Sequence, residues 1–128
     1  MKNFLIGLFV LAFTWTGTAQ DNMMTSQQVK TIALEQTKGE FTQKELTLKE
    51  GTYVFSVTNN NAAPEVGLVL IEAGKDGSNP ENHITDAYVS QMVTHGNTES
   101  SKEVTLKKGE YKYFCPFNKT PEYTLTVQ

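Results

Sequence analysis

The chain has 128 residues, with 11 lysines, no arginine, 14 acids, two histidines and one cysteine, for a formal net charge of −3. Without guanidinium forks or a basic stripe, nucleic acid is not an expected partner, and a single cysteine excludes an internal disulfide. The length suits one domain with one modest core.

In chain order, Lys2, the apolar run 4–13 and the small residues Gly17-Thr18-Ala19 read as a cleavable signal peptide over 1–19, cut before Gln20. The run is about half the length that spans a bilayer, and no second one follows. The mature chain is therefore expected to have no transmembrane segment and to be periplasmic or secreted. No cysteine lies near the cut, so no lipid anchor is expected. Without Lys2, ten lysines face fourteen acids. Residues 20–28 read as a flexible tail and 29–128 as the domain.

Within the domain, 29–34 and 45–48 read as the first two strands. Residues 52–59 alternate strictly, with Tyr53, Phe55 and Val57 on one face, and end in the turn-forming Asn59-Asn60-Asn61. The run 66–71 is almost continuously apolar, as in a central strand. A polar loop, 74–83, follows. Ile84, Tyr88 and Met92 then recur every four residues, with Thr85 or Asp86 as a cap, which predicts one short inserted helix around 84–94. Strands are predicted again at 102–107, 110–115 and 123–127. Short strands separated by turn residues imply an all-β fold, a sandwich of seven to eight strands.

One internal similarity bears on the architecture. Leu46-Thr47-Leu48-Lys49-Glu50-Gly51-Thr52-Tyr53 matches Val104-Thr105-Leu106-Lys107-Lys108-Gly109-Glu110-Tyr111 in pattern: a strand, a lysine-bearing glycine turn and a second strand. Two occurrences are too few for a repeat array and suit pseudo-symmetry between the halves of a Greek-key sandwich. The two reads as one hairpin-like corner used twice. The match puts Tyr111, Tyr113 and Cys115 in phase with Tyr53, Phe55 and Val57, so Cys115 is expected to face the core near its strand's end.

Residues 51–59 followed by 66–70, and Lys108-Gly109-Glu110-Tyr111-Lys112-Tyr113-Phe114-Cys115-Pro116 followed by 123–127, together resemble the cupredoxins, the plastocyanin- and azurin-type β-sandwich copper proteins. The resemblance implies a cupredoxin-like Greek-key fold with a metal site at one end, between the loop before Val66 and the loop after Cys115. Such a blue-copper centre takes one cysteine thiolate, two imidazoles and usually an axial methionine. This chain supplies only the cysteine: Ala63-Pro64-Glu65 stands where the first histidine belongs, and the loop 116–122 has neither histidine nor methionine. Asn118 holds the second histidine's place, and an amide oxygen is a poor copper ligand beside an imidazole.

Other soft ligands exist. His83 and His95 bracket the expected helix and Met92 lies on it, a set that Cu(I) would accept with Cys115; the plainer expectation is solvated histidines and a packing methionine. Met23 and Met24 form a second soft pair in the tail. For Cys115 itself, the strand phase favours a small buried hydrophobe over a reactive thiol near Lys112 or Lys119. No nucleophilic triad, zinc spacing or phosphate loop is present, so no catalytic residue is nominated and no enzyme is expected. The reading favoured is a monomeric, exported binding or interaction module. It would use the end loops, with Pro64, Glu65, Phe117 and Asn118 as binding residues and Phe117 as exposed anchor, toward a protein or small-molecule partner. No cofactor is expected on that reading. The alternative is a copper-binding electron-transfer or copper-handling protein with a non-standard site on Cys115.

Overall fold

The structure, a computed structural model, describes residues 29–128; the signal peptide expected at 1–19 and the tail expected at 20–28 lie outside the described residues. Ten strands follow one another: β1 (Lys30–Thr37), β2 (Glu40–Phe41), β3 (Glu45–Leu48), β4 (Gly51–Asn59), β5 (Glu65–Val66), β6 (Val69–Glu72), β7 (Val93–Thr94), β8 (Thr98–Leu106), β9 (Gly109–Phe114) and β10 (Tyr123–Val127). One sheet has the order β2-β1-β4-β8, the other β3-β10-β9-β6, and β5 pairs with β7 in a separate ribbon. β1 runs parallel to β4, and β3 parallel to β10. The fold is the expected all-β sandwich, but with ten strands among the described residues where seven to eight were expected: the two-residue β2 and β7 are additional, and the run 66–71 divides into β5 and β6.

Alternation builds the core. Ile32, Leu34 and Gln36 of β1 face inward in register with Phe55, Val57 and Asn59 of β4. The opposite sheet contributes Tyr111, Tyr113, Leu125 and Val127. Cys115, immediately after β9, is fully buried, as its phase predicts.

The internal similarity becomes a matched pair of corners, but neither is a hairpin. β3 and β4 lie in different sheets, as do β8 and β9, so the chain crosses between layers at each Lys-Gly turn. At each crossing a tyrosine hydroxyl donates to the lysine carbonyl four residues upstream, Tyr53 to Lys49 at 2.7 Å and Tyr111 to Lys107 at 2.8 Å. Such a bond fixes the path of a strand changing sheets. The corners also meet, through the Lys108 amide donating to the Glu50 carboxylate at 2.6 Å.

Two segments depart from the sequence reading. No α-helix forms over 84–94; the segment holds a short 3-10 turn at Thr85–Ala87, preceded by another at Pro80–Asn82. Tyr88 is already extended (φ −62°, ψ 137°), Val89 bridges Ser101, and the Ser90 amide donates to the Ser100 carbonyl. The free edge of β8 thus offers backbone partners that a two-turn helix on a four-residue period lacks. The run 66–71 is likewise not one central strand. It breaks at Gly67-Leu68 into β5 and β6, and β6 lies at a sheet edge, partly covered where the Ile84 amide donates to the Leu70 carbonyl at 2.8 Å.

Phe41, Tyr113 and Tyr123 form an aromatic cluster, with ring centroids 5.3 Å apart for Phe41–Tyr113 and 5.8 Å for Phe41–Tyr123. The buried Tyr113 hydroxyl donates to the Gln43 carbonyl. Burial, reinforced by negative charge at Tyr123 and Glu45, pushes its pKa up from 10.0 to about 12. The fold therefore favours the neutral phenol: the stabilisation is complete below pH 10 and is lost as pH rises through 12. In urea titrations from pH 8 to 12, Tyr113→Phe is expected to start about 1 kcal/mol less stable, for the lost hydrogen bond, and to lose less than the wild type above pH 10. Parallel curves would show that the fold does not hold this proton.

Candidate functional site at the cysteine end of the sandwich

Beyond β9 the chain turns through Pro116-Phe117-Asn118-Lys119, with the Thr120 amide returning to the Cys115 carbonyl at 3.2 Å and the Thr120 hydroxyl accepting from the Cys115 amide at 2.9 Å. This tight loop fixes the side chains that follow the cysteine. Phe117 is thrown outward, 62% exposed, while Asn118 is drawn inward, 7% exposed.

Asn118 enters a buried amide network. Its Nδ2 donates to Gln36 Oε1 at 3.1 Å and to the Thr37 carbonyl at 2.8 Å, and its Oδ1 accepts from the Gly39 amide at 2.8 Å. Gln36, with no exposed surface, donates through Nε2 to the Gly67 carbonyl at 2.8 Å. The Gly67 amide donates to Cys115 Sγ at 3.4 Å. With both its backbone groups committed sideways, Gly67 cannot continue a strand ladder, which is why 66–71 breaks there.

Above Gly67 lies a mainly apolar cavity of about 450 Å³. Gly67, Leu68 and Val69 form its floor, Pro116 and Phe117 one side, and His83, Tyr88, Val89, Gln91 and Met92 the other. The Met92 thioether packs against Gly67, with its sulfur 3.7 Å from where a β-carbon on that glycine would stand. His83 is held rigidly. A carbonyl can only accept, so Nε2–H donates to Gly77 O at 2.7 Å, and the Tyr88 hydroxyl donates to Nδ1 at 2.6 Å.

The fold thus brings His83, Met92 and Phe117 to one cavity, and joins Cys115 to Asn118 beneath its floor through Gly67 and Gln36. Cys115 does not line the cavity. His95 is exposed in the turn between β7 and β8, and Pro64 and Glu65 are exposed and away from the cavity. Gln36, Leu68, Val69 and Tyr88 were not singled out from the sequence as site residues. Continuing the inward period of Ile32 and Leu34 by one step would have flagged Gln36; the cavity residues carry no local signal.

The donor set does not fit a type 1 copper centre. The amide at 118 has both its polar atoms committed to backbone and Gln36, both His83 nitrogens have partners, and the hydrogen bond described at the Cys115 sulfur comes from the Gly67 amide. Among the described residues, no three His, Cys, Asp or Glu side chains are grouped to hold a metal ion.

Two Greek-key sheets closed by corner tyrosines, with a buried cysteine at the end of the penultimate strand, define a sandwich of the cupredoxin class. The family model described as "Cupredoxin-like domain" matches residues 5–127, and the chain belongs to that family. Its fold is similar to auracyanin A, a "blue" copper protein from Chloroflexus aurantiacus (TM-score 0.62, 19% identity, 79% of this chain and 100% of that one). It is similar also to the dithionite-reduced auracyanin of Roseiflexus castenholzii (0.60, 18%, 77% and 96%). An azurin from Methylomonas sp. strain J matches less well (0.55, 15%, 77% and 97%). At these identities the likeness is one of fold. No curated protein matches the chain.

Proposed function

We propose that this chain is an exported, non-enzymatic binding module of cupredoxin fold that takes an apolar ligand of small-molecule size in the cavity above Gly67. One observation carries the reading. Of the three exposed large hydrophobic side chains among the described residues, Tyr88 and Phe117 both stand on the rim of this one cavity. Isolated exposed aromatics need no explanation, but two around one apolar concavity mark a binding site. Its volume of about 450 Å³ falls within the range of small-molecule sites, roughly 300–1,000 Å³. The His83–Tyr88 hydrogen bond supports the role by holding one wall in place before a ligand arrives. The leader at 1–19 supports export, and no described helix is long and apolar enough to cross a membrane.

The test is titration with a neutral hydrophobic fluorophore, N-phenyl-1-naphthylamine. One-to-one binding is expected, weakened about tenfold in Phe117→Ala for the loss of roughly 1–1.5 kcal/mol of aromatic contact, and weakened further in Met92→Lys. Equal binding by all three proteins would refute the site. Copper handling on Cys115 is the competing outcome: titration with Cu(II) and Cu(I) would have to yield tight binding, with a visible thiolate band that Cys115→Ser abolishes.

A further inference from the structure

The mismatch between this chain and a copper centre extends beyond missing ligands, because something else occupies the structural role at that end. Three separate segments converge there: the turn between β1 and β2, the break between β5 and β6, and the loop after Cys115. We infer that the Gln36–Asn118 side-chain pair is the crosslink that holds these segments together, so that the cysteine end of this cupredoxin fold is built without a metal.

The bonds support this directly. Asn118 reaches Thr37 at the end of β1 and Gly39 in the β1–β2 turn, Gln36 reaches Gly67 at the break, and the two side chains join each other at 3.1 Å. Asn118 uses both amide hydrogens and its oxygen; Gln36 uses its oxygen and one hydrogen. Both side chains are buried. Buried amides paired with each other and with backbone in this way favour one arrangement, whereas a buried amide that loses its partners is costly. A side chain so committed at 118 is not free to turn toward a metal. The Gly67 amide bonded to Sγ keeps Cys115 inside the same scaffold, beneath the cavity floor. The inference stands whatever the cavity binds, and melting behaviour tests it separately from fluorophore affinity.

Thermal melting of the wild type should be unchanged by a chelator and by added Cu(I) or Cu(II), with the Gly39 amide equally protected from hydrogen exchange in each case. Gln36→Met and Asn118→Leu, close in shape but unable to pair, should each melt about 5–15 °C lower, the scale set by one or two unpaired buried groups in a domain of this size. The double variant should lose less than the sum of the two, because both singles break the same contact. Strictly additive losses, or an Asn118→Leu protein that melts like the wild type, would overturn the crosslink. So would a drop in melting temperature and in Gly39 protection on chelation, a test that needs no variant to fold.

Discussion

Phe41→Ala is expected to destabilise the domain by about 3–5 kcal/mol, the range for removing a buried phenyl ring from a core that cannot close over the gap. Phe41 has no exposed surface and is among the largest fully buried side chains described. Its neighbours cannot easily relax into the space: Tyr113 is tethered by its hydroxyl to Gln43, and both Tyr113 and Tyr123 meet it edge-to-face, at interplanar angles of 89° and 81°, from the opposite sheet. Since whole domains are stable by only about 5–15 kcal/mol, the variant should populate the unfolded state appreciably near physiological temperature. Urea unfolding should show a lower midpoint with an unchanged slope. Phe41→Leu, which keeps most of the volume, should lose no more than about 1.5 kcal/mol. A loss below about 1 kcal/mol for the alanine variant would mean that the cluster collapses onto the gap and is not the rigid contact described.

That a two-residue strand carries so large a term explains why β2 escaped sequence reading. Periodicity needs several turns of the pattern to register, and Glu40–Phe41 offers one alternation. β3 and β10, by contrast, have the bounds expected, and the inward row Tyr53, Phe55, Val57 is as written in the sequence. The paired corners were legible because each is local, a glycine turn with a tyrosine two residues on. What was not legible was nonlocal. The four-residue spacing of Ile84, Tyr88 and Met92 is a true regularity, yet the segment is decided by the hydrogen bonds that the β8 edge offers it.

The candidate site divides in the same way. Cys115 could be placed in the core, and Phe117 exposed, from strand phase and loop position alone. Asn118 was recognised as standing in a histidine's place, but its partners Gln36, Thr37 and Gly39 lie 79 to 82 residues away in the chain. Sequence reasoning could say what Asn118 does not do; only the fold shows what it does. Met92 and His83, candidate ligands on the alternative copper reading, share a cavity as walls of it. One contributes a thioether packed on Gly67, and the other an imidazole bonded at both nitrogens.

Asn59→Ala is expected to cost about 3 kcal/mol and to weaken ligand binding at a distance, for a reason rooted in how many groups one side chain serves. Asn59 ends β4 in core phase, with no exposed surface. Its Nδ2 donates to the Ala63 and Val93 carbonyls, each at 2.8 Å, and its Oδ1 accepts from the Ala62 amide at 2.9 Å. Its own amide and carbonyl bind Asn97 and Gly96. One residue thus pins both the loop after β4 and the start of β7. Alanine would leave the Ala62 amide and the Val93 carbonyl buried without partners, and Asn59→Asp would restore only the first, so both variants should unfold at lower urea. The β5–β7 ribbon they loosen adjoins the cavity on both sides, since Val66 leads into the Gly67 floor and Met92 precedes Val93 in the wall. Fluorophore affinity should therefore fall in Asn59→Ala even under conditions where the protein remains folded. If affinity is unchanged while stability drops, the ribbon does not position the cavity, and the floor must be held by the Gln36–Asn118 pair alone.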